Sequence, residues 1–258
     1  MSVTAHRIRG MRATSIRLIG DGKAFWYGLA ETSAGPMFVK VPFAQPSGGH
    51  ESAWQEYVAL RLARAVGIPA LEPHPVEVPP TLVTDSDRAR TFWDFGNIFA
   101  GTPYQQKLAP GRGYEELGNT GKALLYIFDN VLYYVDRARP TVPQSRQDRW
   151  LSDDGKPILF DWDNYAAPSR TSGVGMAVAT YTWEASKFLG VQLCTADVKR
   201  ACESVVAGLS DILVREAVGS AAAIWARVDE TAVANWLLGR RDNVLPAFVN
   251  TQSPSWAL

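Results

Sequence analysis

The sequence predicts an α+β chain in two lobes: a small antiparallel sheet carrying one helix, then a mostly helical half. Short apolar runs separated by turn residues fill the first part, and one strongly periodic helix interrupts them. Long helical periodicities dominate the second part. Glycine and proline accumulate from about 101 to 119, which places the crossing there, with lobes expected over 1–105 and 106–258.

The sheet is expected to open with "SIRLI" and "AFWYGLAE" around the turn Gly20-Asp21-Gly22-Lys23. "PMFVKVP" follows a second turn, Thr32-Ser33-Ala34-Gly35. A helix is predicted over 51–66, where Trp54, Val58, Leu62 and Val66 form a stripe that Gly67 and Pro69 terminate. Glu56 lies off that stripe, beside a narrow second face of Ala59, Leu60 and Ala63, and on its own reads as an exposed glutamate. "PHPVEVPPTLV" and "RTFWDFGNI" are expected to complete the sheet. Beyond the crossing, "GKALLYIFDNVLYYV", 196–218 and 230–238 read as helices. In the second of these, Thr195 is expected to cap, Gly219 to terminate, and Val198, Ala201, Val205, Leu209, Ile212 and Leu213 to share one face.

Composition removes several classes of function. The 258 residues are 47% hydrophobic, and 26 Lys plus Arg balance 26 Asp plus Glu. Zero net charge argues against a dedicated nucleic-acid binder, whose affinity rests on accumulated basic residues. No apolar run has membrane-spanning length. His6, His50 and His74 are too scattered for a zinc site. Cys194 and Cys202 lie apart on one expected helix, out of mutual reach, and no signal peptide is evident, so a reducing cytoplasm is the expected home.

Chemistry concentrates in residues 126–168, "YIFDNVLYYVDRARPTVPQSRQDRWLSDDGKPILFDWDNYAAP". Asp136 opens a polar loop after an aromatic-rich helix. Asp161 ends a strand beyond the expected hairpin "RWLSDDGKPILF", which brings the two carboxylates together. Phosphoryl transfer from ATP requires such a pair, one carboxylate for the acceptor hydroxyl and one for magnesium. Each aspartate alone is more often a turn residue. Lys40, on the third strand, is then placed to reach phosphates, and Glu56 on the next helix to pair with it. Gly20 and Gly22 are candidates for backbone amides over the phosphates.

These residues carry a family resemblance. "HESAWQEYVALRLARAVGIPALEP", "YIFDNVLYYVDR" and "DGKPILFDWDNYA" resemble the corresponding segments of HipA-like kinases, over about 36–168, with a weaker echo in "ANWLLGRRDNVLPAF". The resemblance implies a bilobal protein-kinase-like fold, ATP and Mg2+, and phosphorylation of a serine or threonine hydroxyl. It makes Lys40 and Glu56 the ion pair, Asp136 the catalytic base and Asp161 the metal ligand. Thr141 stands where the family carries an asparagine, leaving Gln144, Gln147 or Asp163 as further metal ligands. "ILFDWDNYA" also resembles the magnesium strand of aminoglycoside phosphotransferases, so a small-molecule hydroxyl is an alternative acceptor. A degenerate nucleotide- or partner-binding kinase fold is the non-enzymatic alternative. Asp94-Phe95-Gly96 spells a kinase metal signature but stands ahead of any catalytic loop, and is read as a decoy.

Overall fold

The computed structural model describes residues 11–21, 25–42, 52–83, 97–104, 109–110, 117–132, 149–151, 157–159, 162, 193–225 and 228–249. Strands β1 (Met11–Asp21), β2 (Phe25–Thr32) and β3 (Gly35–Pro42) follow one another as antiparallel neighbours. At the β2–β3 turn Thr32 faces Gly35. The Thr32 hydroxyl donates to the Gly35 carbonyl at 2.7 Å and accepts from the Ala34 N–H at 3.2 Å.

Strands β4 (His74–Glu77) and β5 (Ile98–Pro103) complete a closed barrel in the order β1-β2-β3-β5-β4. This corrects the purely antiparallel sheet expected from sequence. The closing ladder is parallel, with Met11 opposite Val76 and Arg12 opposite Glu77. The register of β1 against β2 slips between Ala13 and Ser15 and again between Leu18 and Gly20. Such bulges bend and twist a strand, allowing a short sheet to curl until its edges meet. The segment after β4 is a 3-10 turn at Pro80–Leu82 rather than more strand. Of the strand expected in "RTFWDFGNI", Asn97 and Ile98 are described and Ile98 opens β5; the rest, with Asp94-Phe95-Gly96, lies outside the described residues.

The barrel interior is lined by apolar side chains, among them Ala13, Ala30, Met37, Val39, Val76 and Phe99. Gly101 pairs with Val39 on one side and His74 on the other. A Cβ at that position would lie 2.5 Å from Val76 Cγ2 and 3.1 Å from Val39 Cγ1, so the strands approach closely only because it is absent.

Helix α1 (Ser52–Ala65) lies between β3 and β4, and helices α2 (Gly118–Leu132), α3 (Thr195–Gly208), α4 (Asp211–Ala222) and α5 (Glu230–Val249) follow the barrel. The single helix expected over 196–218 is broken. Ser210 caps α4, accepting from the Leu213 N–H, and Arg241 of α5 donates to the Leu209 carbonyl at 2.6 Å. The break changes the phase of the buried face and leaves Ile212 exposed. The chain passes Gly219 in helix, and Cys194 rather than Thr195 is the N-cap of α3. The Cys194 thiol and the Arg200 guanidinium, both hydrogen-bonded to Asp197, hold its carboxyl below the usual carboxylate range. Cys202 lies within α3, and burial pushes its thiol up to about 12; both cysteines are free. Helix α5 runs well past the expected 230–238, through Pro246 to Val249.

Helix α1 is buried on its stripe of Trp54, Val58 and Leu62, on the narrow second face of Ala59, Leu60 and Ala63, and beyond both, since Gln55, Glu56 and Tyr57 are covered as well. The barrel and the helices enclose it from different sides. Ala100 of β5 shares its hydrophobic cluster, and the Trp225 ring just beyond α4 packs at 5.3 Å on Tyr57. The Trp225 indole also donates to the Ile98 carbonyl of β5 at 3.0 Å, which ties the helices to the barrel. The exit of α1 meets the end of α3 so closely that a Cβ on Gly208 would stand 2.8 Å from Val66 Cα.

A second sheet joins β6 (Ala109–Pro110), β7 (Arg149–Leu151) and β8 (Pro157–Leu159). Its β7–β8 pair is the hairpin expected from "RWLSDDGKPILF", with Arg149 opposite Leu159. Among the described residues no helix is long and apolar enough to cross a membrane.

Gly101→Ala is expected to lower the unfolding free energy by about 1–3 kcal/mol through overpacking. Urea denaturation measures this, and an unchanged midpoint at unchanged slope would show that the barrel has room for the methyl group.

Candidate active site

Alternation along β3 decides which way Lys40 points. Met37 and Val39 face the barrel interior, so Phe38 and Lys40 face outward. Outside the barrel, Phe38 stacks on Tyr27 with ring centroids 5.6 Å apart. Lys40 does not reach bulk water there, because its side chain is only 8% exposed. Its ammonium meets Glu56 Oε2 of α1 at 3.2 Å, and the glutamate side chain is equally covered. The burial of α1 on several faces accounts for this. A helix packed between barrel and helices has no free side on which Glu56 could be the exposed residue its sequence position implied.

Burying two charges costs several kcal/mol per ion before their attraction is counted. Apolar residues of similar volume often serve stability as well or better. Packing therefore does not explain why a lysine and a glutamate occupy these positions. Held together, the pair fixes the Lys40 Nζ at the outer wall of β3.

Two further connections frame this pair. The chain leaving α1 turns at Gly67, and the Pro69 carbonyl accepts from the Leu159 N–H of β8 at 2.8 Å. Ala70 and Leu159 form a parallel bridge, and Arg64 of α1 donates to the Ala70 carbonyl at 2.8 Å. The helix bearing Glu56 is thus tied to the strand that leads toward Asp161. Just past β8, the fully buried Trp162 donates from Nε1 to Asp129 Oδ1 of α2 at 2.7 Å.

Of the residues selected from sequence, the structure brings Lys40 and Glu56 together. Gly20 lies within β1 opposite Tyr27. Gly22, Asp136, Thr141, Gln144, Gln147, Asp161 and Asp163 lie outside the described residues. Among the described residues no group of three His, Cys, Asp or Glu could hold a metal ion. Sequence reasoning passed over Asp129, Trp162 and Arg240, all at most 1% exposed. The available signal was an acid in the middle of "YIFDNVL", where every neighbouring position belongs to the core.

No protein-family model matches the chain, and no curated protein sequence matches it. Among solved structures, it is similar to the crystal structure of a Helicobacter pylori proinflammatory kinase, CtkA, with a TM-score of 0.54. The match covers 93% of this chain and 96% of that one at 10% identity. The chain therefore has a kinase-like fold; identity that low speaks for the fold alone.

Lys40→Met and Glu56→Leu are each expected to destabilise the protein by about 3–5 kcal/mol, because each leaves a buried charge without its partner. The double variant is expected to lose much less than the sum. Urea unfolding of all four proteins measures the coupling, and additive losses would mean that the two side chains do not interact in solution.

Proposed function

We propose that this chain is an ATP- and Mg2+-dependent phosphotransferase with a bilobal kinase-like architecture, phosphorylating a serine or threonine hydroxyl of a protein. The observation that carries the reading is the buried Lys40–Glu56 pair, a costly arrangement that stability alone does not require. The fold likeness supports the same reading.

The residues fit the group they would receive. A lysine ammonium is a point charge suited to phosphate oxygens, and the carboxylate behind it fixes its position. Carboxylate and amide oxygens suit magnesium, which Asp161, Asp163 and Gln144 would hold. Bound Mg2+ and ATP would supply the transferable phosphoryl group and part of the charge neutralisation. In this reading Lys40 binds phosphate oxygens and Glu56 holds the ammonium against β3. Gly20 and Gly22 offer backbone amides over the phosphates. Asp136 accepts the acceptor hydroxyl's proton at its carboxylate. The wall of β3 and α1 keeps water from the Lys40 side.

A nucleotide-binding chain without turnover is the second reading, favoured by Thr141, whose hydroxyl is a poorer magnesium ligand than an asparagine carbonyl. A small-molecule hydroxyl is the alternative acceptor.

Labelled ATP with Mg2+, offered with cell lysate or with small hydroxyl compounds, separates these readings. Asp136→Ala is expected to remove most turnover while leaving ATP affinity within about threefold. Asp161→Asn is expected to weaken magnesium-dependent ATP binding by about tenfold or more, and Asp94→Asn to leave it nearly unchanged. Equal losses from Asp94→Asn and Asp161→Asn would mean the wrong metal aspartate has been chosen. A wild-type protein that binds ATP but labels nothing, indistinguishable from Asp136→Ala, would leave the second reading standing.

A further inference from the structure

The last turn of α2 is gripped by two side chains from distant parts of the chain. Trp162 Nε1 donates to Asp129 Oδ1 at 2.7 Å, and the Phe128 ring meets the indole edge-on with centroids 5.7 Å apart. Arg240 of α5 donates from Nε to the Val131 carbonyl at 3.2 Å and from Nη2 to the Asn130 carbonyl. Carbonyls in the last turn of a helix lack intrahelical donors, so this buried guanidinium serves as the C-terminal cap. The Asn130 side chain completes the group by donating to the Tyr126 carbonyl at 2.8 Å.

Asp129, Asn130 and Trp162 are fully buried and Arg240 is 1% exposed. A buried acid and a buried arginine are expensive ways to fill a core. What they share is their place in the chain. The turn they hold is the one from which the chain proceeds to Asp136, and Trp162 stands between Asp161 and Asp163. Trp162 is joined to both aspartates by one peptide bond each.

We propose that Asp129 and Arg240 are positioning residues for phosphoryl transfer, locking the end of α2 to the residue between Asp161 and Asp163. Base and metal carboxylates are thereby kept in register with each other. The inference rests on the phosphotransferase reading above for its purpose. The mechanical coupling itself does not depend on it.

Hydrogen exchange of the full chain, followed by mass spectrometry, tests the coupling without any nucleotide. Trp162→Phe keeps the ring edge and removes the donor. It is expected to speed exchange by about tenfold or more in peptides covering 133–148 and 157–163, with the barrel and α3–α4 unchanged. Asp129→Asn, made in the otherwise wild-type chain and keeping an acceptor oxygen, is expected to retain near-wild-type protection. Arg240→Lys keeps the charge but loses the fork, and is expected to loosen 133–148 alone; it decides the matter if Trp162→Phe does not fold. Unchanged exchange in these segments, or an increase spread evenly over the chain, would overturn the proposal.

Kinetics supply the second arm. In Trp162→Phe, kcat is expected to fall about tenfold or more while KM for ATP stays within about threefold, as for lost alignment rather than lost binding. Localised loosening with full turnover would overturn the positioning role. Localised loosening in Trp162→Phe, together with a wild-type chain that transfers no phosphate, would keep the coupling and sink the phosphotransferase reading instead.

Discussion

Lys40 and Glu56 meet where neither charge has enough water to stand alone, so each depends on the other and both depend on the surrounding structure. Lys40 is turned outward only because Met37 and Val39 are drawn into the barrel. Glu56 is turned toward it because α1 lies against β5 on one side and against α4 and Trp225 on another. The closed barrel matters for the same reason. The parallel β1–β4 ladder and the close approach at Gly101 hold β3 and β5 at a set spacing, and with them the wall on which the ammonium rests.

A chain of contacts extends that order away from the pair. From the end of α1, the backbone bond between Pro69 and Leu159 reaches β8. From there the Trp162–Asp129 bond reaches α2, and Arg240 brings in α5. Each link is a directional hydrogen bond with at least one participant in the core. Such links have few alternative geometries, unlike apolar packing, which can re-form in several ways. In the phosphotransferase reading, this is why costly buried polar groups persist along one path.

Much of this was legible in the sequence where the signal is local. The turn at Thr32–Gly35, the β7–β8 hairpin and the apolar periodicity of α1 and α2 all come from short-range chemistry. Lys40 on a strand and Glu56 on the following helix were readable as partners because residue type, element order and the aspartates downstream agreed. Long-range contacts decided what was not legible. The parallel closure of β1 on β4 needs two bulges that no residue pattern announces. The full burial of α1 is set by Trp225 and Ala100, far along the chain. The break between α3 and α4 interrupts a continuous apolar stripe because Ser210 and Arg241 satisfy the backbone there. Arg240 looks like an ordinary helix-surface residue, and Asp129 stands out only as an acid within an apolar run, until Trp162 and the carbonyls of α2 are placed beside them.

The central claim is that the Lys40 ammonium faces a nucleotide phosphate. An adenosine-linked sulfonyl fluoride, followed by peptide mapping, tests it most directly, since the reagent modifies an amine only where adenosine binding holds the two together. The account predicts modification at Lys40, suppressed by ATP and lost in Lys40→Met with the other lysines unmodified. Modification at another lysine, or labelling of Lys40 that ATP leaves unchanged, would contradict it.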